Sequence, residues 1–195
     1  MTRAFVLGNG ISRRQVDLLT LRTLGPIYGC NGLYRDFEPD VLVSTDVPIS
    51  QRIQHDGYSA RHVHYTRKPL SDLGARRIPA QYFGFSSGPA AVGLAALAGH
   101  QVMYLVGFDM GPTQTGRFNN IYSDTEFYKK SHSTPTYSGN WVRQLLTIAK
   151  DFPNCSFFRV QGDTTADIKE FRGAKNIAHV PMADFLNRIN NTKEL

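Results

Sequence analysis

The sequence predicts an α/β fold: one open sheet, mostly parallel, with helices on both faces and an irregular segment after a Gly-Phe-Asp strand end. Two observations predict it. Short apolar runs alternate with helical segments along the whole chain, at residues 4–7, 26–29, 41–44, 62–65, 81–83, 102–106 and 156–160. The first two runs each end in an asparagine-centred turn, Gly8-Asn9-Gly10 and Gly29-Cys30-Asn31-Gly32. A chain of 195 residues with 41% hydrophobic content can bury one good core and is short for two, so residues 1–195 are expected to form a single domain.

The elements follow in order. After the run 4–7, Ser12-Arg13-Arg14-Gln15 reads as a capping box that opens a helix, with Val16, Leu18, Leu19 and Leu21 as its apolar stripe. Amides at that start would face anything held by Asn9 and Gly10, and the positive end of the helix dipole would favour phosphate. If the first two strands are parallel neighbours, both asparagine turns open at the carboxyl edge of the sheet, where such folds bind ligands. Glycine lets a backbone approach a phosphate or sugar, and an asparagine amide both donates and accepts, as a base edge or ribose requires. Both are equally residues of ordinary turns. Past the third strand lies Thr45-Asp46, where Asp46 reads either as a ligand-facing carboxylate or as the cap of a helix near Pro48. Basic residues then gather from 61 to 77, with Arg61, Arg67, Lys68, Arg76 and Arg77 interspersed with His62 and His64, which is the composition of a solvated loop.

Ser86-Ser87-Gly88-Pro89 opens the clearest helix, with proline expected at its first position, an alanine-rich body and Gly99 just past the end. Its small residues, Gly93 among them, allow close packing. At its start, Ser86, Ser87 and the amide of Gly88 offer a second anion or sugar clasp, or a plain serine cap. The strand 102–106 delivers Gly107-Phe108-Asp109, and Asp109 there either caps a loop or touches a ligand. Residues 111–139 have no helical or strand period and many polar and aromatic side chains, as a lid or binding loop would. A helix over 139–150, with Trp141, Leu145, Leu146 and Ile148 towards its buried side, leads to the strand 156–160. A short tail helix over 183–189 is expected on an edge of the sheet.

Several function classes are excluded or weakened. GxxxxGK[ST] is absent, Gly8-Asn9-Gly10 lacks the third glycine of a dinucleotide fingerprint, and no GxSxG elbow occurs. A net charge of +6 favours anionic partners without choosing among them, and no basic and aromatic interleaving marks a nucleic-acid platform. Cys30 and Cys155 are far apart and outside any zinc pattern, so they read as free thiols. With no signal-peptide core and no long apolar segment, a soluble cytoplasmic protein without a membrane span is expected. Oligomeric state is left open, a homo-oligomer included. What remains is a nucleotide-type ligand held by amides and asparagines.

Taken in order, Val6-Leu7-Gly8-Asn9-Gly10-x-Ser12, Cys30-Asn31, Ser86-Ser87-Gly88 and Tyr104-Leu105-Val106-Gly107-Phe108-Asp109 resemble the motifs of bacterial CMP-sialic-acid-dependent sialyltransferases. The same order occurs in a related group that includes archaeal hydroxymethylpterin diphosphokinases. The resemblance covers most of residues 4–109 and implies a Rossmann-like sheet. It assigns Asn9, Gly10, Asn31, Ser87 and Gly88 to the donor nucleotide, with Gly8, Ser12, Asp46, Ser86 and Asp109 around them, and implies a hydroxyl acceptor. By the same resemblance Tyr122 steadies the leaving phosphate and His132 is the general base. Two departures stand out: Met110-Gly111 replaces the first phosphate tyrosine, and Asp46 stands where the sialyltransferases prefer asparagine. The preferred reading needs no cofactor. A magnesium-dependent diphosphate transferase with Asp46 and Asp109 as metal ligands is the alternative, as is a nucleotide-binding module that has lost catalysis.

Overall fold

A computed structural model describes residues 2–191. Its strands are β1 (Arg3–Leu7), β2 (Ile27–Cys30), β3 (Val41–Ser44), β4 (His64–Thr66), β5 (Arg76–Arg77), β6 (Val102–Val106), β7 (Ser156–Gln161) and β8 (Ile177–Pro181). They form one open sheet in the order β5-β4-β3-β2-β1-β6-β7-β8, and every pairing is parallel. The chain therefore winds outward from β1 to β5, returns to the middle, and winds out the other way from β6. The strand order reverses between β1 and β6, the place where open α/β sheets leave a crevice at their carboxyl edge.

Among the described residues six α-helices cover the sheet: α1 (Leu18–Leu24), α2 (Val47–His55), α3 (Tyr58–Arg61), α4 (Ser87–Leu97), α5 (Gly139–Asp151) and α6 (Met182–Asn190). Side chains alternate across a strand, and β1 divides them cleanly. Ala4 and Val6 join the apolar layer with α4 and α5, whereas Phe5 and Leu7 join the layer that includes Leu21, Ile49, Ile53 and Phe185 from α1, α2 and α6. Nearly every residue of β1, β2, β3 and β6 is buried, as expected of strands covered on both faces. α4 is buried almost all round because it lies between the sheet and α5, which explains why it has no polar face.

The structure corrects several expectations. Residues 11–15 form a 3₁₀ turn, and the α-helix begins later, at Leu18, with the Asp17 carboxylate accepting from the Leu19 amide. Ser12 consequently caps nothing, and Leu19 is solvent-facing instead of part of a buried stripe. The stretch 81–83 is not a strand: Ala80–Tyr82 is a 3₁₀ turn whose Tyr82 ring is buried against α4. The edge strand on that side is β5, two exposed arginines with no apolar signal. β4 starts two residues later than expected because His62 ends α3. Pro89 is the third residue of α4, with Ser86 at the N-cap. β8 was not anticipated, since its burial is mixed and it ends on proline. α6 reaches past the edge, packing Phe185 against Phe5 of β1 and Tyr104 of β6.

Candidate functional site

A cavity of about 400 Å³ opens at the carboxyl ends of the central strands. The two asparagine turns, Thr45-Asp46, the start of α4 and residues 107–111 line it, and the segment before and into α5 flanks it with Tyr137, Asn140 and Trp141. Of the ten donor-site residues expected from sequence, all but Ser12 line this one cavity. The topology is responsible. Parallel strands send every one of these turns to the same edge.

Beneath the first turn, Gly8 and Gly107 bring two backbones together. The Gly8 amide donates to Val106 O (2.8 Å) and the Gly10 amide to Gly107 O (2.9 Å), and a Cβ on Gly8 would lie 2.5 Å from Gly107 O. A Cβ on Gly10 would run into the Asp109 carboxylate. That carboxylate is buried and accepts from the Ser12 amide (3.1 Å), the Ser12 hydroxyl, Asn119 Nδ2 (3.1 Å), Thr164 Oγ1 (2.6 Å) and Thr165 Oγ1 (3.2 Å). Asp109 thus ties three distant segments to the strand end, which is the loop-capping reading. Arg159 of β7 secures the same loop from below. Wholly buried, it donates from Nε to Phe108 O, from Nη2 to Asp109 O and from Nη1 to Ala166 O, each at 2.8 Å, and burial lowers its pKa to about 10.

Asn9 is also held by the protein. Its Nδ2 donates to Cys30 O (3.2 Å) and its Oδ1 accepts from Arg13 Nη1 (2.7 Å). Arg13 is buried and its guanidinium also donates to Gly8 O (2.8 Å) and to the Tyr122 hydroxyl (2.9 Å). Tyr122 therefore does not line the cavity. It lies behind the turn, and its burial pushes the phenol pKa up. The neighbouring Tyr128 hydroxyl accepts from the Gly32 amide (2.8 Å), and a Cβ on Gly32 would meet that hydroxyl and the Tyr122 ring. Residues 111–139 are thereby strapped to both asparagine turns, with further bonds from the Ile121 amide to Asn9 O (2.8 Å) and from the Ile11 amide to Asn119 Oδ1 (2.9 Å).

The second turn and α4 share one hydrogen-bonded chain. Asn31 occupies the left-handed region (φ 49°), which asparagine tolerates, and its Oδ1 accepts from the Ser87 hydroxyl (2.9 Å). Ser87 Oγ in turn accepts from the Thr45 amide (2.9 Å) and meets Thr45 Oγ1 at the same distance. The ends of β2 and β3 and the start of α4 are thus locked together, and among the described residues Asn31 Nδ2 has no hydrogen-bond partner. Asp46 occupies the N-cap position of α2 but its exposed carboxylate makes no capping bond. Ser86 sits at the N-cap of α4 without a side-chain cap, and its amide donates to Gln144 Oε1 (2.9 Å).

His132 stands apart. It is exposed and lines a separate shallow hollow with Ile11, Thr113, Arg117 and Ser131; Phe118 belongs to both linings. Cys30 and Cys155 are free thiols, and burial pushes the pKa of Cys30 up to about 12, so it is no nucleophile. Sequence reasoning missed three arginines. Arg13 and Arg159 position the site from beneath, and only their burial, which a lone sequence does not display, would have marked them. Arg67, assigned to a solvated cluster, lines the cavity, whereas Arg61, Lys68, Arg76 and Arg77 are exposed. Among the described residues no three acidic, histidine or cysteine side chains gather as a metal site, and no helix is long and apolar enough to cross a membrane.

No family model and no curated protein matches this chain. Two solved structures do: the sialyltransferase CstII from Campylobacter jejuni in complex with the substrate analogue cytidine-5'-monophosphate, at a TM-score of 0.54, and the same enzyme in complex with CMP-3FNeuAc, at 0.52. In both, the match covers 94% of this chain and 87% of the other, at 13% sequence identity. The chain is therefore similar to a sialyltransferase in fold.

Proposed function

We propose that the protein is a transferase that binds a nucleotide-activated small molecule in the central cavity and passes the activated group to a hydroxyl acceptor, with a CMP-activated sugar as the leading donor. The observation that carries this reading is the Asn31–Ser87–Thr45 chain, which joins the second asparagine turn, the end of β3 and the start of α4, while Asn9 ties the first turn to Cys30 around the same cavity at the switch point. The fold likeness to an enzyme solved with cytidine-5'-monophosphate and CMP-3FNeuAc supports the same donor class.

The chain's own groups divide the work. Asn31 Nδ2, the Ser86 hydroxyl and the first amides of α4 meet the donor, while Asn9 and Tyr122 act through Arg13 to hold the first turn in shape. In transfer, the acceptor oxygen bonds to the anomeric carbon as the bond from that carbon to the phosphate oxygen breaks, and the electron pair stays on the phosphate. The positive end of α4 favours that charge. The acceptor's proton needs a base. Asp46 is the carboxylate in the lining without a protein partner, and it takes this role in our reading; His132 would have to pass Phe118 to do so. Magnesium-dependent diphosphate transfer through Asp46 and Asp109 draws less support, because five donors already occupy the Asp109 carboxylate.

Thermal melting with CMP, CDP, UDP, GDP, ATP and a free pterin, each with and without magnesium, tests the reading. CMP is expected to raise the melting temperature without metal; a ligand at a hundredfold its Kd adds about 2.7 kcal/mol to stability. Asn31→Ala is expected to lose most of that shift, and Asp46→Asn to keep it while losing turnover. No shift with any nucleotide would overturn the proposal.

A further inference from the structure

We propose that Arg67, together with the start of α4, forms an anion seat that holds the phosphate joining the nucleotide to the activated group; this rests on the nucleotide reading above. Arg67 is the one lysine or arginine among the described residues lining the cavity. It follows β4, and its Nη2 donates to Phe85 O (2.8 Å), the carbonyl just before the N-cap of α4. The guanidinium is thereby tied beside the helix start. Its Nε is buried and has no partner. That nitrogen is closed off from the cavity, but Arg67 as a whole is half-buried and its Nη1 is neither enclosed nor, among the described residues, hydrogen-bonded, so Nη1 is the guanidinium donor that an anion in the cavity can use.

The helix start makes the complementary offer independently. α4 is eleven residues long, and the amides of Ser87 and Gly88 lie in its first turn, where no helical carbonyl can reach them. An N-cap serine ordinarily accepts from the amide two or three residues on. Here the third residue of the helix is Pro89, which has no N–H, and the Ser86 hydroxyl makes no capping bond. Two backbone donors, a free hydroxyl and a fork-shaped cation therefore border the same cavity. Helix amides with a planar guanidinium form a set that suits the oxygens of a phosphate.

Calorimetric titration of the wild type, Arg67→Gln and Arg67→Lys with CMP, cytidine and inorganic phosphate distinguishes the outcomes. The wild type is expected to bind CMP more tightly than cytidine. Arg67→Gln is expected to bind CMP roughly tenfold or more weakly and cytidine unchanged, as befits loss of a charged hydrogen-bond donor. Arg67→Lys, which keeps the charge but not the fork, is expected to fall between and carries the test if Arg67→Gln does not fold. A preference for CMP over cytidine that survives in both variants overturns the seat, as does a wild type that binds the two equally. If the wild type binds neither nucleoside nor nucleotide yet takes phosphate in an Arg67-dependent way, the seat stands and the nucleotide reading falls. Absence of binding to all three overturns both.

Discussion

Asp109 shows that a carboxylate at a strand end next to a cavity can be wholly engaged in holding the chain together. Its two oxygens gather donors from Ser12, Asn119, Thr164 and Thr165, segments up to 97 positions away. Asp109→Asn would turn one acceptor oxygen into a donor facing other donors. A loss of about 1–3 kcal/mol for each buried group left unsatisfied is expected, read as a lower midpoint of urea unfolding at unchanged slope. Gly10→Ala should behave similarly, because its new methyl group would meet the same carboxylate. If both variants unfold at the wild-type urea concentration, this account of Asp109 is wrong. The sequence left Asp109 balanced between loop cap and ligand contact, and reasonably so, since no spacing rule links residue 12 to 119 or 164. The two asparagine turns were legible because their signal is local, a glycine beside an asparagine at the end of an apolar run.

At the scale of elements, α4 was the most legible part of the chain and also hid a detail. Its serine start, alanine body and Gly99 in the left-handed region (φ 89°) are all encoded within a few residues. The role of Gly93 is not. A Cβ there would lie 2.5 Å from the Tyr82 ring, so the glycine leaves room for an aromatic side chain from the preceding turn as well as for close packing. The same contact explains why 81–83 misled: Tyr82 is buried by meeting a helix, not by joining the sheet. Gly93→Ala therefore opposes two effects. Helix propensity gains about 1 kcal/mol, while overpacking a buried ring costs typically about 1–3 kcal/mol. Net destabilisation is expected, and Tyr82→Leu in the same background should recover part of it by removing the ring. Chemical denaturation of the two single variants and the double variant measures that coupling. β5 and β8 escaped the sequence for a related reason, since two arginines and a strand ending in proline acquire their pairing only from the neighbours that the topology supplies.

For the molecule as a whole, the order of strands brings separate motifs to one cavity, and alternation of apolar and helical segments was enough to anticipate the parallel sheet but not that order. What alternation could not show is which polar groups the two-layered core encloses. His64 on β4 is fully buried, with Nε2 2.5 Å from Ser44 Oγ on β3 and Nδ1 2.7 Å from Ser59 Oγ on α3, so it links the sheet to its helical layer. The serine hydroxyls can donate or accept and thus tolerate either charge state; burial is what opposes the proton, lowering the pKa from 6.5 to about 4. In the unfolded chain the imidazole regains its ordinary value and binds a proton at higher pH than the folded protein does. Stability is therefore complete above about pH 6.5 and is lost progressively as pH falls towards 4. His64 alone accounts for about 2 kcal/mol by pH 5 on that basis. His100 and His179, whose pKa values burial also lowers, act in the same direction. Urea unfolding of the wild type should show a falling midpoint from pH 7 to pH 5, and His64→Gln, less stable at neutral pH, should fall less steeply. A slope unchanged by the substitution would mean that the proton uptake driving acid unfolding lies elsewhere in the chain.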